Sequence, residues 1–169
     1  MKIKLLLLAI FTLLLSSIVD GQRKKILQNG DKSPIFKFTD INGKKVSLKD
    51  FRGKYVLIDL WSTTCTPCKY QLPHLTKLKE KMKGENIVFI YISIDRDKKR
   101  WEKYVKDENL GGIQLYAGEE RAYMHAYGFY TIPRFILLDK KGRIIECAMP
   151  RPSNPKMEKI LTKLLESNL

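Results

Sequence analysis

Residues 61–69 read Trp61-Ser62-Thr63-Thr64-Cys65-Thr66-Pro67-Cys68-Lys69 and join two segments of different hydrophobic period. Before them, Tyr55–Trp61 is apolar apart from Asp59, the pattern of a central strand buried on both faces. After them, Leu72, Leu75, Leu78 and Met82 recur at helical spacing, which predicts a helix from Thr66 to about Lys83 that ends at Gly84. Cys65 therefore falls where a buried strand hands over to a helix. A sulfur there meets the unpaired N–H groups of the helix N-terminus, whose partial positive charge stabilises a thiolate. The two-residue spacer lets Cys68 reach Cys65 within the first turn and close a reversible disulfide. Pro67 lies in that same turn, where a missing N–H costs nothing. Cys65 is thus expected to be the exposed nucleophile that makes a mixed disulfide, and Cys68 the thiol that resolves it.

The flanking sequence supplies the rest of an α/β domain. Ile35–Phe38 and Lys45–Leu48 around Asn42-Gly43 predict a β-hairpin with a tight turn, and Ile87–Ile94 predicts a second buried strand. Residues 98–109 read as a helix with Trp101, Tyr104 and Val105 on one face, Ile113–Tyr116 as a short strand, and Arg121–Tyr127 as a short helix. Phe135–Leu138 and Arg143–Ala148 flank Asp139-Lys140-Lys141-Gly142 as a second hairpin. Met157, Ile160, Leu161, Leu164 and Leu165 mark an amphipathic C-terminal helix opened by Ser153 or Asn154 before Pro155. This order implies a mixed central sheet sandwiched by helices.

The 169 residues suffice for one domain, and 44% hydrophobic with 30% charged residues excludes a disordered chain. Three cysteines are too few for a disulfide-stapled scaffold. Lys2 and Lys4 followed by the apolar run Leu5–Val19 describe a secretory signal peptide, expected over residues 1–21 with cleavage after Gly21. An uncleaved N-terminal membrane tether is the alternative, and a lipid-anchored N-terminus is excluded because no cysteine lies nearby. Residues 22–33 read as a linker and 34–169 as the folded domain. Export to a periplasmic or other extracytoplasmic space is the expectation. Loss of residues 1–21 removes Lys2, Lys4 and Asp20, so the formal charge falls by one from +14 to +13. Nucleic acid is not an expected partner of an exported chain, and Lys77, Lys79, Lys81 and Lys83 read as a solvated helix face. Peripheral attraction to an anionic membrane or an acidic partner remains open. A monomer is expected.

A zinc site would need two ligands beyond the cysteine pair, drawn from His74, His125 and Cys147 or carboxylates, and no second paired motif exists. Covalent haem attachment would need histidine where Lys69 stands. Neither a metal nor a cofactor is expected. The strand, the Trp-x-x-x-Cys-x-Pro-Cys-Lys segment, Pro73 in the helix, and the distant Thr131-Ile132-Pro133 ahead of a strand together resemble the thioredoxin fold. The N-terminal hairpin, leader and central insert at about residues 95–128 resemble the exported TlpA/ResA group of redoxins, related to the AhpC/TSA proteins, over residues 31–167. The resemblance implies a thiol–disulfide oxidoreductase. It implies that Pro133 is a cis-proline beside the disulfide, with Thr131 and Ile132 offering backbone bonds to a substrate chain. It also implies that Asp59 matches the buried acid of thioredoxins, with a raised pKa that assists Cys68, where a hydrogen-bonded structural aspartate is the alternative. Many TlpA/ResA members carry glutamate where Gln71 stands, so acid–base duty falls on Asp59 alone.

Trp61 is expected to pack beside the disulfide and shape the docking surface together with Pro67, or to be a core residue. Cys147 is expected as a buried free thiol on the last strand, and His74 and His125 as packing or surface residues. Of Tyr123, Tyr127, Phe129 and Tyr130, most belong to the core and one or two line a groove for an extended polypeptide. The resemblance favours reduction of protein disulfides, with electrons from a membrane thiol donor and substrates such as apocytochromes. A disulfide oxidase or isomerase is the near alternative. A thiol peroxidase is the second: Ser62 fits its hydroxyl position before Cys65, but Ile58 replaces the proline of that motif. A redox-inactive peptide-binding module would have no need of Cys65, Cys68, Asp59 and Pro133 together.

Overall fold

A computed structural model describes residues 25–167. The expected leader over residues 1–21 lies outside the described residues, among which no helix is long and apolar enough to cross a membrane. The strands are β1 (Lys37–Asp40), β2 (Lys45–Ser47), β3 (Tyr55–Trp61), β4 (Ile87–Ser93), β5 (Ile113–Tyr116), β6 (Arg134–Leu138) and β7 (Ile144–Glu146). The helices are α1 (Thr66–Lys81), α2 (Lys98–Asp107), α3 (Ala122–Ala126) and α4 (Pro155–Glu166), with a 3-10 turn at Leu48–Phe51.

The strands form one mixed sheet in the order β2-β1-β5-β4-β3-β6-β7. β3, β4 and β5 run parallel at its centre, while β6 and β1 pair antiparallel with β3 and β5. Every residue of β3 is buried, as its unbroken apolar run requires. The alternation of side chains along β3 then sorts them between two layers. Tyr55, Leu57 and Trp61 join the layer packed under α1, α2 and α4, with Leu72, Leu75, Leu78, Trp101, Met157 and Leu161. Val56, Ile58 and Leu60 join the opposite layer with Phe36, Phe38, Tyr123 and Met124, covered by α3 and the N-terminal segment. The same alternation places Asp59 on the α1 side, between Leu57 and Trp61.

Both hairpins form where expected, with strand ends shifted by one or two residues. In the first loop Gly43 takes a positive φ, of 84°, while Asn42 does not. Asp40 organises it: its Oδ1 accepts from the backbone N–H of Asn42 and Lys44, and its carbonyl accepts from Gly43 N–H. Asp139 repeats the arrangement, its Oδ1 accepting from Lys141 and Arg143 while Gly142 sits at φ 75°. In each loop an aspartate three residues before a glycine thus collects the backbone N–H groups of the turn.

The described part of the expected linker is docked on the domain. Leu27 N–H donates to the Ala126 carbonyl, Gly30 N–H to the Ile144 carbonyl and Ser33 N–H to the Gly142 carbonyl. Ser33 Oγ lies 3.1 Å from Tyr123 Oη and accepts from Tyr127 Oη at 2.6 Å, which fastens this segment to α3. Cys147 lies just past the end of β7 and is partly exposed rather than buried on the strand. Partial burial, then the charge of Glu146, pushes its thiol pKa up.

Candidate active site

The dithiol motif sits at the carboxyl end of β3, where the chain leaves the sheet and α1 begins. Cys65 is the N-cap residue of α1, in extended backbone at φ −89° and ψ 97°. Its Sγ accepts from Cys68 N–H at 3.2 Å, so the sulfur takes the place of a capping oxygen. The two sulfurs are bonded, with 5.2 Å between the Cα atoms, so the structure is the oxidised form. Cys65 is half-buried while Cys68 is only 1% exposed, so an incoming thiol or disulfide reaches the first sulfur and not the second. Thr66 and Pro67 form an exposed rim, and Pro67 occupies the first turn as its residue type requires.

Three buried residues lie on the strands of the sheet half that α1 covers. Asp59 is 2% exposed, and its Oδ1 has no hydrogen-bond partner among the described residues. The register sets it opposite Tyr91 on β4 and Phe135 on β6. Burial pushes its carboxyl pKa well above the ordinary value. Tyr91 is driven up as well, first by its own burial and then by the charge of Asp59. Trp61 is wholly buried, its ring 5.8 Å from Tyr104, in the same apolar cluster as Cys68. It supports the motif from below and, being buried, offers no surface to a docking chain. Its buried Nε1 has no partner among the described residues.

A second strand end holds the loop that precedes Cys65. Asp95, 4% exposed, follows β4, and its carboxylate accepts from Thr63 N–H with both oxygens, at 3.1 and 3.0 Å. It accepts further from Thr63 Oγ1 and Ser93 Oγ, both at 2.7 Å. A buried carboxylate surrounded by donors is what a charge at that depth requires. Sequence reasoning passed over Asp95. Its signal was legible as Ser93-Ile94-Asp95, polar side chains at the carboxyl end of a buried strand, where α/β sheets place their sites.

Across from this loop lies the segment Thr131-Ile132-Pro133, with a cis peptide bond between Ile132 and Pro133. Thr131 is exposed, Ile132 half-buried and Pro133 buried. Thr131 and Ile132 line one groove together with Ser62 and Thr64, so the two distant motifs meet. Tyr130, 72% exposed, stands at the same groove, while Tyr123 and Tyr127 belong to the core. Gln71 faces inward from α1, 2% exposed, and its Oε1 accepts from Ser153 N–H at 3.0 Å. Where the resemblance puts a glutamate, this chain has a structural tie to the loop ahead of α4. His74 packs on Tyr70 and His125 stacks on Tyr130.

Residues 28–165 match the Redoxin family, which covers the whole sheet and the dithiol helix. The chain belongs to that family. Its relatives include the thiol–disulfide oxidoreductase ResA of Bacillus cereus, 29% identical over 171 residues that span 96% of this chain and 98% of the relative. A Bacteroides vulgatus structure assigned to the thiol–disulfide oxidoreductases is 46% identical, covers 86% of this chain and 93% of its own, and superposes with a TM-score of 0.76. The thioredoxin domain of another B. vulgatus thiol–disulfide oxidoreductase is 27% identical over 82% of this chain and 99% of its own, with a TM-score of 0.74. This redoxin has the thioredoxin fold and is a TlpA/ResA-like thiol–disulfide oxidoreductase, with Cys65 and Cys68 at disulfide distance.

Proposed function

We propose that this redoxin is an exported reductase of protein disulfides that works through a mixed disulfide on Cys65. The observation that carries the reading is the asymmetry of the pair: a half-exposed Cys65 sulfur that accepts a backbone N–H at the start of α1, beside a Cys68 that solvent barely touches. In the reduced enzyme the Cys65 thiolate attacks one sulfur of the substrate disulfide. That S–S bond breaks, a Cys65–substrate disulfide forms, and the first substrate sulfur leaves and takes a proton. Cys68 then gives up its proton and attacks the Cys65 sulfur. The Cys65–Cys68 disulfide closes and the second substrate thiol departs, so the two electrons lost by the enzyme dithiol appear as two substrate thiols.

Asp59 handles the Cys68 proton. Its burial on the α1 side of β3 raises its proton affinity, which makes a carboxylate a competent partner for a thiol. Pro133, Ile132 and Thr131 hold the substrate chain against Cys65, and Pro67 forms the rim it meets. A membrane thiol carrier returns the electrons, and exported proteins with oxidised cysteine pairs, apocytochromes among them, are the substrates. Residues 1–21 act as the signal peptide, supported by Lys2 and Lys4 ahead of Leu5–Val19.

Equilibration of the purified protein with glutathione or dithiothreitol tests the direction. A reduction potential near or below about −230 mV supports a reductase. A value near about −120 mV makes the protein an oxidase or isomerase, and no two-electron transition ends the dithiol mechanism.

A further inference from the structure

The groove that joins the two motifs has a composition that the thiol chemistry does not require. It encloses about 440 Å³, in the size range of ligand-binding clefts. Its lining carries three arginines, Arg96 and Arg100 from the start of the central insert and Arg121 ahead of α3. Arg96 pairs with Glu119 at 3.1 Å, but both side chains are more than two-thirds exposed, so the contact is weak and easily exchanged. Among the described residues, neither Arg100 nor Arg121 has a carboxylate partner within 4.0 Å.

Two carboxylates share the lining, and both are engaged by the protein itself. Asp95 is buried and accepts from Thr63 and Ser93, while Asp97 Oδ1 accepts from Arg100 N–H to cap α2. Arg100, exposed, and Arg121, half-buried, are thus the two guanidinium groups of the lining that no side-chain carboxylate engages, beside an exposed Asp97 whose Oδ1 is committed to the helix cap. Such forks suit carboxylates, which they bind with two parallel hydrogen bonds. Thr64 and Thr131 bring the same groove to the edge of the disulfide, and exposed Tyr130 adds an aromatic wall.

We infer that this groove seats an extended, acidic stretch of the substrate polypeptide next to the cysteine that Cys65 attacks. The inference rests on the protein-disulfide reading and names the substrate class it selects. Glu119 holds the place of the substrate carboxylate at Arg96 in the free enzyme and is displaced on docking. Acidic flanks then lower KM and leave the sulfur chemistry unchanged, because the arginines contact the chain and not the reacting sulfurs.

The test uses pre-reduced full-length protein and three disulfides: hydroxyethyl disulfide, and two peptides with the same cystine loop flanked by three glutamates or three glutamines. The glutamate peptide should show kcat/KM about tenfold higher at low salt, the scale of a few exposed charge pairs. That ratio should fall toward one as salt rises, and in the double variant Arg100→Gln, Arg121→Gln. Since the ratio is taken within each protein preparation, a loss of folded enzyme does not mimic the result. Equal rates on the two peptides, or a preference that survives in the double variant, overturn the inference. Failure of the unmodified enzyme to reduce hydroxyethyl disulfide overturns the reductase reading itself, and the two failures are thereby told apart.

Discussion

Replacing Asp59 by asparagine keeps the shape of the side chain and removes its ionisation, so it isolates what the buried carboxyl contributes. In the unfolded chain this carboxyl titrates near 3.8, and burial raises it well above that in the fold. Between those two values the native state holds one proton more than the unfolded state. Stability therefore falls as pH rises through that window, by about 1.4 kcal/mol per pH unit. Below the lower value both states are protonated and the penalty vanishes. Above the folded value both are ionised and the penalty is constant. Urea denaturation of the oxidised protein and of Asp59→Asn at intervals from pH 3 to pH 8 measures the difference directly. The other carboxyls and the histidines titrate in both proteins and cancel. The curve of parent stability minus variant stability should slope downward from about pH 5 at close to 1.4 kcal/mol per unit. A difference that stays constant within about 0.5 kcal/mol over the whole range would refute the reasoning, since a solvated or hydrogen-bonded Asp59 predicts that result. The same variant should slow resolution of the mixed disulfide with little effect on the first attack, which single-turnover kinetics can separate.

Cys65→Ser should abolish disulfide reduction, whereas Cys68→Ser should still attack once and accumulate a stoichiometric adduct with the substrate, visible by mass spectrometry without reductant. Asp95→Ala strands the buried donors of Thr63 and Ser93, so it should cost roughly 3 kcal/mol or more in urea denaturation, at about 1–3 kcal/mol for each unsatisfied group. A loss below about 1 kcal/mol would show that water replaces the carboxylate there. Gln71→Ala removes one neutral hydrogen bond to the loop before α4 and should cost about 1 kcal/mol, with the pH profile of reduction unchanged. A shifted profile would show that Gln71 tunes the dithiol after all.

The dithiol turn was legible because its signals are local. A strand of seven apolar-framed residues, two cysteines separated by two residues and a proline in the first helical turn each act through neighbours in the chain, and Tyr55–Trp61 and the start of α1 at Thr66 stand where the pattern puts them. Period alone also set Asp59 in a buried strand. Strand ends shift by one or two residues at both hairpins, where Asp40 and Asp139 collect the backbone N–H groups of the loops. The segment before Ser33 reads as a linker by composition, yet its backbone bonds to Ala126, Gly142 and Ile144 tie it down. Those partners lie about a hundred residues away, beyond any window of sequence.

By itself, then, the sequence determined the chemistry: which sulfurs pair, which faces the helix N-terminus, and which carboxylate lies inside the sheet. Each of these follows from spacing along one strand–helix unit. The tertiary structure decided what surrounds that chemistry. Parallel pairing of β3 and β4 brings their carboxyl ends together, so Asp95 can hold Thr63 across 32 residues of chain. The crossover to β6 sets Ile132 and Pro133 beside the same loop, and the central insert adds Arg96, Arg100 and Arg121 to one groove. Long-range pairing has no periodic trace in sequence, because its energy comes from contacts that exist only once the sheet has closed.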